Sequence, residues 1–297
     1  MADYYLSPGD NLQEAADKAL PGDTLHLKEG CYRQKVVLRA PSITLVGEGP
    51  EKTVLTGSDY ARKLDEQGRE YNTFRTYTLA VTADDITLRS LSIRNDALDP
   101  VSKGQEVALS VYGDRFHMEK CHLFSTQDTL FLGPLPLDLV ARYKDFLPDE
   151  LRKSHPLKMD ISDCLIEGSV DYIFGCGSCL FNACEIRQIP DGRTNGFIAA
   201  PAHWEEMSEG FTFRYCSFTC DPSVPEKSIY LARPWRDFGL CSFESCAYGP
   251  HIKPEGFDSW RGSSRHLTAR FFEAPAVPGR AAWVRQPDRS APEAVLS

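Results

Sequence analysis

The sequence predicts an all-β solenoid, a parallel β-helix, whose first coil is covered by a short N-terminal helix. Three observations predict this fold. Short segments rich in β-branched residues alternate with Gly, Pro, Asp and Asn through most of the 297 residues, as expected for many short strands. Helical periodicity is nearly absent. Cysteines recur within one short pattern at spacings of 20 to 43 residues, which is typical of coils that stack on their neighbours.

The repeated pattern is an apolar residue, two variable residues, a cysteine, one variable residue and a second apolar residue. It surrounds five of the ten cysteines: Cys121, Cys164, Cys184, Cys216 and Cys246. A buried cysteine behaves as a small hydrophobe, so we expect these thiols to form an internal ladder with one rung per coil. The C-x-x-C segment at 176–179 has no second pair at zinc-site spacing, which disfavours a metal or redox role.

The capping helix is predicted over residues 11–20. Asn11 suits the N-cap, Glu14 follows three residues later, and Pro21-Gly22 ends the pattern. The first coil of a solenoid would otherwise expose unpaired strand edges, and this helix would cover them.

A second helical candidate runs from Leu137 to Lys153, inside an inserted segment at about 133–156. The remaining segments are predicted as short strands of the same solenoid. We therefore expect one β-helix domain over residues 1–297, with this insertion.

Composition and charge narrow the class of protein. The formal net charge of −9 disfavours a nucleic-acid binder, which needs a basic surface, and no apolar run is long enough to span a membrane. We expect a monomer that binds neither nucleic acid nor membrane. No secretory signal is visible at the N-terminus. The expected location is cytoplasmic if the sequence is full length, and extracellular or periplasmic if it is a trimmed mature form.

Several kinds of catalytic site are disfavoured by missing motifs. The sequence contains no G-x-S-x-G, no H-E-x-x-H and no phosphate-binding G-x-x-x-x-G-K-[ST] segment. The seven histidines show no metal-ligand or triad spacing. We therefore expect no metal and no cofactor, and we expect carboxylates to be the catalytic groups.

Two aspartates occupy equivalent places in successive coils. Asp128 lies seven residues after Cys121, and Asp171 lies seven residues after Cys164. If these cysteines stack, the two carboxyl groups lie on neighbouring strands about 4.8 Å apart. Such a pair repels, so one pKa rises and the other stays low, which supplies a proton donor and an ionised nucleophile. On spacing alone, aspartates that only stabilise turns are an equal alternative.

The sequence resembles the pectin methylesterase (pectinesterase) family over residues 10–285. Four segments carry most of the resemblance and occur in the family's order: Gly104-Gln105-Glu106-Val107-Ala108-Leu109, Gln127-Asp128-Thr129-Leu130-Phe131, Val170-Asp171-Tyr172-Ile173-Phe174-Gly175 and Leu231-Ala232-Arg233-Pro234-Trp235. Weaker matches lie at 73–78, 252–260 and 270–273. The resemblance implies a right-handed parallel β-helix that hydrolyses the methyl ester at C6 of galacturonate in pectin or pectic oligosaccharides.

The resemblance also implies roles for particular residues. Asp171 would be the nucleophile and Asp128 the general acid and then base. Arg233 would position Asp171, while Gln127 and Gln105 would donate hydrogen bonds to the oxyanion. A second group of side chains would contact the sugar: Trp235, Trp260, Phe131, Thr78 and Phe174.

Three features depart from the family pattern. Cys176-Gly177 follows the second Asp segment where the family usually has Asn-Ala, and Ala232 replaces a Gly before Arg233. The insertion at 133–156 is expected to form one wall of the cleft and to restrict substrate length or access.

The acidic net charge disfavours steering toward a de-esterified, polyanionic chain. A neutral, highly methylated or short substrate is therefore expected. Local cations are expected to offset the net charge near the cleft: Arg193, Arg233, Arg236 and Lys253.

Three alternatives remain open on the sequence. A polygalacturonase would also need two carboxylates, and a pectate lyase would need a calcium site and a base. An esterase acting on a different ester is the second alternative, and a non-catalytic carbohydrate-binding relative is the third. The glutamines beside the aspartates, together with Arg233-Pro234-Trp235, favour acyl transfer.

Overall fold

The structure is a computed structural model that describes residues 1–97, 99–260 and 262–286. Within these residues the chain forms three parallel sheets of 10, 8 and 7 strands, and successive coils stack new strands onto the sheets in turn. This is the predicted parallel β-helix. In the same part of the chain, no helix is long and apolar enough to cross a membrane.

The three sheets share the described strands as follows. Sheet 1 contains Asp3–Leu6, Thr24–Leu27, Thr44–Gly47, Thr87–Arg89, Phe116–Glu119, Lys158–Ser162, Ser178–Asn182, Phe211–Arg214, Leu240–Glu244 and Arg270–Ala274. Sheet 2 contains Gly30–Arg33, Thr53–Gly57, Ser92–Asn95, His122–Phe124, Leu165–Gly168, Glu185–Gln188, Ser217–Cys220 and Ala247–Tyr248. Sheet 3 contains Val36–Leu38, Leu79–Val81, Leu109–Val111, Leu130–Leu132, Val170–Gly175, Gly196–Pro201 and Ile229–Ala232.

Helices are few and short in the described residues. The α-helices are α1 (Leu12–Lys18), α2 (Pro100–Lys103) and α3 (Leu137–Arg142), and the 3₁₀ turns are Thr73–Arg75, Asp149–Leu151 and Arg265–Leu267.

The predicted cysteine ladder lies at the corner between sheets 1 and 2. Each of its later rungs donates its thiol to the carbonyl of the coil before: Cys164 to Met118, Cys184 to Ile161, Cys216 to Phe181 and Cys246 to Phe213. The hydrogen bond with the Cys164 thiol and, to a smaller degree, burial raise the pKa of Cys184 to about 12, although the hydrogen bond with the Cys216 thiol lowers it. All ten thiols are free, and the rungs act as small packed hydrophobes.

The residue before each rung explains the tight corner. It adopts a left-handed backbone with φ between 51° and 55° at every rung: Lys120, Asp163, Ala183, Tyr215 and Ser245. A single left-handed residue turns the chain from sheet 1 into sheet 2, so the next side chain, the cysteine, points into the coil. This conformation sets the spacing that the sequence pattern repeats.

Helix α1 caps the first coil as predicted. The Asn11 side chain accepts a hydrogen bond from Glu14 N at 3.1 Å, and Leu12 and Ala16 are buried. Gln13 pairs with both backbone groups of Val37, at 2.7 and 3.0 Å, which satisfies the open edge of sheet 3.

The inserted segment is less helical than predicted. Helix α3 ends at Arg142, because Tyr143 leaves the helical region with φ −100° and ψ 18°, and Pro148 disfavours a helix through Leu147. A second apolar cluster forms where this segment packs on the outer face of sheet 3, outside the coil interior.

Candidate active site

Strand register brings the two aspartates together. Gln127 pairs with Val170 and Leu130 pairs with Ile173, so Asp128 lies beside Asp171 on the neighbouring strand. The Asp128 N–H donates to the Val170 carbonyl at 3.1 Å. The seven-residue offset from Cys121 and Cys164 therefore predicts this neighbourhood correctly.

The backbone is strained at both carboxylates. Asp128 has φ 64° and Asp171 has φ 50°, which is unusual outside glycine. At Asp171 the pairing with the next strand also shifts, since Val170 pairs with Phe197 but Ile173 with Ala199. A bulge of this kind re-aims a side chain, and strain of this kind clusters at functional sites.

A guanidinium holds the Asp171 carboxylate. Arg233 donates from Nε to Oδ1 at 2.8 Å and from Nη2 to Oδ2 at 2.7 Å. Both side chains are only 13% exposed. The guanidinium lies between two rings, with its carbon 3.6 Å from the Phe197 ring centre and 4.2 Å from that of Trp260. This bidentate pair fixes the orientation of Asp171 and matches its negative charge.

Asp128 has the opposite electrostatic environment. It is 8% exposed, and burial together with the charge of Asp171 raises its pKa well above the ordinary value. Arg233, a hydrogen bond from Gln127, and Arg193 oppose this shift in pKa without cancelling it. Asp128 is therefore suited to hold a proton beside an ionised partner.

The Gln127 amide is oriented by an arginine. Arg193 Nη1 donates to Gln127 Oε1 at 2.9 Å. A guanidinium only donates, so the carbonyl oxygen of Gln127 must face Arg193, which leaves the NH₂ group as the donor on its other side. Gln105 lies half-buried one coil earlier, where the N–H of its neighbour Glu106 donates to the Gln127 carbonyl at 3.1 Å.

Arg193 is itself held in place. Its Nε donates to Asp191 Oδ2 at 2.7 Å, and its Nη2 lies 3.4 Å from Ser169 Oγ. Burial raises the pKa of Asp191, but hydrogen bonds from Arg193 and Ser169 outweigh burial and lower it. The sequence marks Arg193 only as a cation near the cleft, and its contact with Gln127 spans 66 positions.

The predicted sugar-contacting residues divide into two groups. Trp260 and Trp235 are both partly exposed. Trp260 packs on Arg233, and Trp235 meets Phe174 edge-on at 5.8 Å.

The other group is covered. Phe131, Thr78 and Phe174 are 0%, 1% and 3% exposed, and Thr78 donates its hydroxyl to the Arg94 carbonyl at 2.7 Å. In this conformation none of these three offers surface to a sugar. Their predicted role stays a prediction.

A further group of aromatic and cationic side chains lies near Asp171, on and beside the two strands of sheet 3 that follow its own strand. The sequence does not predict that these side chains form a group. Phe197 and Tyr230 stack at 5.3 Å with an interplanar angle of 6°, and Lys253 Nζ lies 4.9 Å from the Tyr230 ring centre. Within the described residues, no group of three or more His, Cys, Asp or Glu side chains could hold a metal ion.

A parallel β-helix with a clamped carboxylate, a proton-holding carboxyl and an oriented amide has the parts of a carbohydrate ester hydrolase. The family model described as Pectinesterase matches residues 5–134 and 153–284. The chain therefore belongs to the pectinesterase family, a family of carboxylic ester hydrolases.

Individual relatives agree with the family match. Pectinesterase 31 of Arabidopsis thaliana is 30% identical over 274 residues, covering 89% of this chain and 77% of the relative. Probable pectinesterase/pectinesterase inhibitor 23 of the same plant is 30% identical over 257 residues, covering 84% of this chain but 40% of the relative. A solved pectin methylesterase in complex with a hexasaccharide superposes with a TM-score of 0.78 at 25% identity, covering 95% of this chain and 89% of that one.

Proposed function

We propose that this protein hydrolyses methyl esters of galacturonate units in pectin or pectic oligosaccharides and releases methanol. The observation that carries the proposal is the carboxyl pair. Asp171 is clamped by Arg233 at 2.8 and 2.7 Å, next to Asp128, whose pKa is raised. Family membership and the oligosaccharide complex of a relative support the substrate class.

The first half of the reaction forms an acyl-enzyme. An Asp171 oxygen attacks the ester carbonyl and gives a tetrahedral intermediate with a negatively charged oxygen. Gln127 Nε2 and the Gln105 amide donate hydrogen bonds to that oxygen. The intermediate collapses as Asp128 gives its proton to the leaving methoxide. Methanol departs, and an anhydride joins Asp171 to the substrate.

The second half restores the enzyme. Asp128, now a carboxylate, takes a proton from water as the water oxygen attacks the anhydride. The anhydride bond breaks, releasing the Asp171 carboxylate and a galacturonic acid unit, which then loses its proton to solvent. The net reaction consumes one ester and one water and yields one acid and one methanol. Arg233 remains protonated throughout and keeps Asp171 in place for the next turnover.

The side chains around Asp171 suit a sugar that carries an ester or an acid. The partly exposed rings of Trp260 and Tyr230 provide apolar surface for a pyranose. Lys253 supplies positive charge beside Tyr230, and Arg193 supplies it beside Gln127, on a protein whose net charge is −9.

The proposal is tested on methyl-esterified oligogalacturonides by measuring methanol, new reducing ends, unsaturated products and binding in parallel. We expect methanol release without new reducing ends. New reducing ends without methanol would indicate a glycosidase, and unsaturated products would indicate a lyase. Binding without any product would indicate a carbohydrate-binding relative, and each of these outcomes would contradict the proposal.

A further inference from the structure

The outer face of sheet 3 carries one continuous row of side chains next to the catalytic pair. Strand register aligns the row across six strands: Val37, Ala80, Ser110, Phe131, Phe174 and Ala200. At about 4.8 Å between neighbouring strands, the row extends for roughly 24 Å. Phe174 lies three residues after Asp171 on the strand Val170–Gly175, and Phe131 lies three residues after Asp128, which precedes the strand Leu130–Leu132. The row therefore runs within about 10 Å of the reacting groups.

Residues 135–151 cover this row. Their buried leucines pack on it and are each at most 5% exposed: Leu135, Leu139, Leu147 and Leu151. Phe131, in the middle of the row, is fully buried and meets Phe74 and Phe174 with ring centres 5.1 Å apart in each case. A surface that would otherwise offer aromatic faces beside the carboxylates is closed.

The segment is fastened near both ends of the row. Glu150 accepts a bidentate pair from Arg39, directly after the first strand of sheet 3, at 3.0 Å for each bond. Asp138 accepts a bidentate pair from Arg236, four residues after the last described strand of sheet 3, at 3.0 and 2.8 Å. Exposed pairs add little energy singly, but together with the apolar contacts they hold the segment at two separate points.

This segment is an addition to the family pattern. The match to the Pectinesterase model stops at residue 134 and resumes at residue 153. Away from this segment, the surface near the carboxylates includes Gln127 and Tyr230, which are partly exposed, and Arg193, which is exposed.

We infer that residues 135–151 form a fixed wall that restricts the substrate to short methyl-esterified oligogalacturonides and excludes continuous pectin from the sheet 3 row. This inference rests on the proposed function. A polymer extends beyond the reacting sugar on both sides, and the sheet 3 row, about 24 Å long, is closed to it by protein side chains.

The wild-type protein tests the inference first. We compare kcat/KM per ester for methyl-esterified trimers and tetramers with that for partly esterified pectin, and repeat the pectin assay after fragmentation by an endo-polygalacturonase. The inference predicts at least a tenfold lower value for the polymer, which fragmentation restores. Equal kcat/KM values for pectin before and after fragmentation would overturn the inference of a restricting wall but would leave the esterase proposal standing. Absence of methanol from every substrate would overturn the esterase proposal itself.

A variant then assigns the effect to the segment. Residues 135–151 are replaced by a short Gly-Ser linker, and hydrolysis of the trimer is the internal check that the site remains folded. The polymer-to-trimer ratio of kcat/KM should rise at least tenfold, and an unchanged ratio in a variant that hydrolyses the trimer would overturn the inference. If the variant does not fold, the wild-type comparison decides.

Discussion

At the scale of single residues, the site depends on unequal environments for two like side chains. Arg233 gives Asp171 a charge partner with bidentate geometry, whereas Asp128 is buried, and burial together with the charge of Asp171 raises its pKa. Ionising two carboxyl groups on adjacent strands costs free energy, because the two negative charges repel each other. The fold therefore assigns the anion to Asp171 and the proton to Asp128.

Asp128→Asn should remove activity and increase stability. Loss of the general acid is expected to lower kcat by about 10²- to 10⁴-fold. Because folding raises the pKa of Asp128, the acid form is favoured in the folded state. Stability is then highest below the unfolded pKa and falls as the pH rises toward the folded one, by about 1.4 kcal/mol for each unit of pKa difference.

Urea unfolding of the wild type and Asp128→Asn at pH 4 and pH 7 measures this linkage. The variant should gain free energy of unfolding relative to the wild type as the pH rises between these values. A difference between the two proteins that is the same at both pH values would contradict the account.

Arg193 is expected to act as a positioning residue. Arg193→Gln removes the donor that orients Gln127 and a positive charge that lowers the pKa of Asp128. We expect kcat to fall about tenfold or more. The alkaline limb of the pH–rate profile should move to higher pH, because Asp128 keeps its proton longer. Arg193→Lys is the matched control, since it retains the charge and should leave that limb in place. A limb that does not move in Arg193→Gln would show that Arg193 has no influence on Asp128.

At the scale of single elements, the cysteine corner is a packing device. Each rung fills the turn between sheets 1 and 2 behind a left-handed residue. Neither thiolate chemistry nor metal binding is needed to explain the spacing of these five cysteines.

Cys184→Ala should lower the free energy of unfolding by about 1–2 kcal/mol, since it opens a small cavity at a residue that is 1% exposed. Cys31→Ala is the control, because Cys31 is exposed and outside the ladder. Equal effects of the two substitutions in chemical denaturation would rule out a structural ladder.

The elements differ in how far the sequence could predict them. The corner pattern and the N-cap at Asn11 depend on neighbouring residues alone, so both can be predicted from the sequence. Helix α3 is shorter than the periodicity of 137–153 suggests, because Pro148 and packing on sheet 3 override helical preference. The course of an insertion depends on which surface it covers, and nothing local encodes that surface.

At the scale of the whole molecule, stacking converts distances along the chain into neighbours in space. Asp128 and Asp171 are brought together by register, and their equal offset from two ladder cysteines predicts this from the sequence alone. Arg193 and Gln127 meet through the course of a loop rather than through the repeat. The resemblance assigns Phe131 and Phe174 to sugar contacts, whereas the structure covers both side chains with residues 135–151. This covering arises from tertiary packing, which no local sequence pattern encodes.

The central claim is that a clamped Asp171 forms the acyl-enzyme in ester hydrolysis. Methanol release from methyl-esterified trigalacturonate by the wild type and by Asp171→Asn tests it most directly, because asparagine preserves the size of the side chain but removes the nucleophilic charge. The account predicts methanol without new reducing ends from the wild type and a loss of at least about 10³-fold in the variant, whose fold is checked by its melting curve. A folded variant that releases methanol at the wild-type rate would contradict the account.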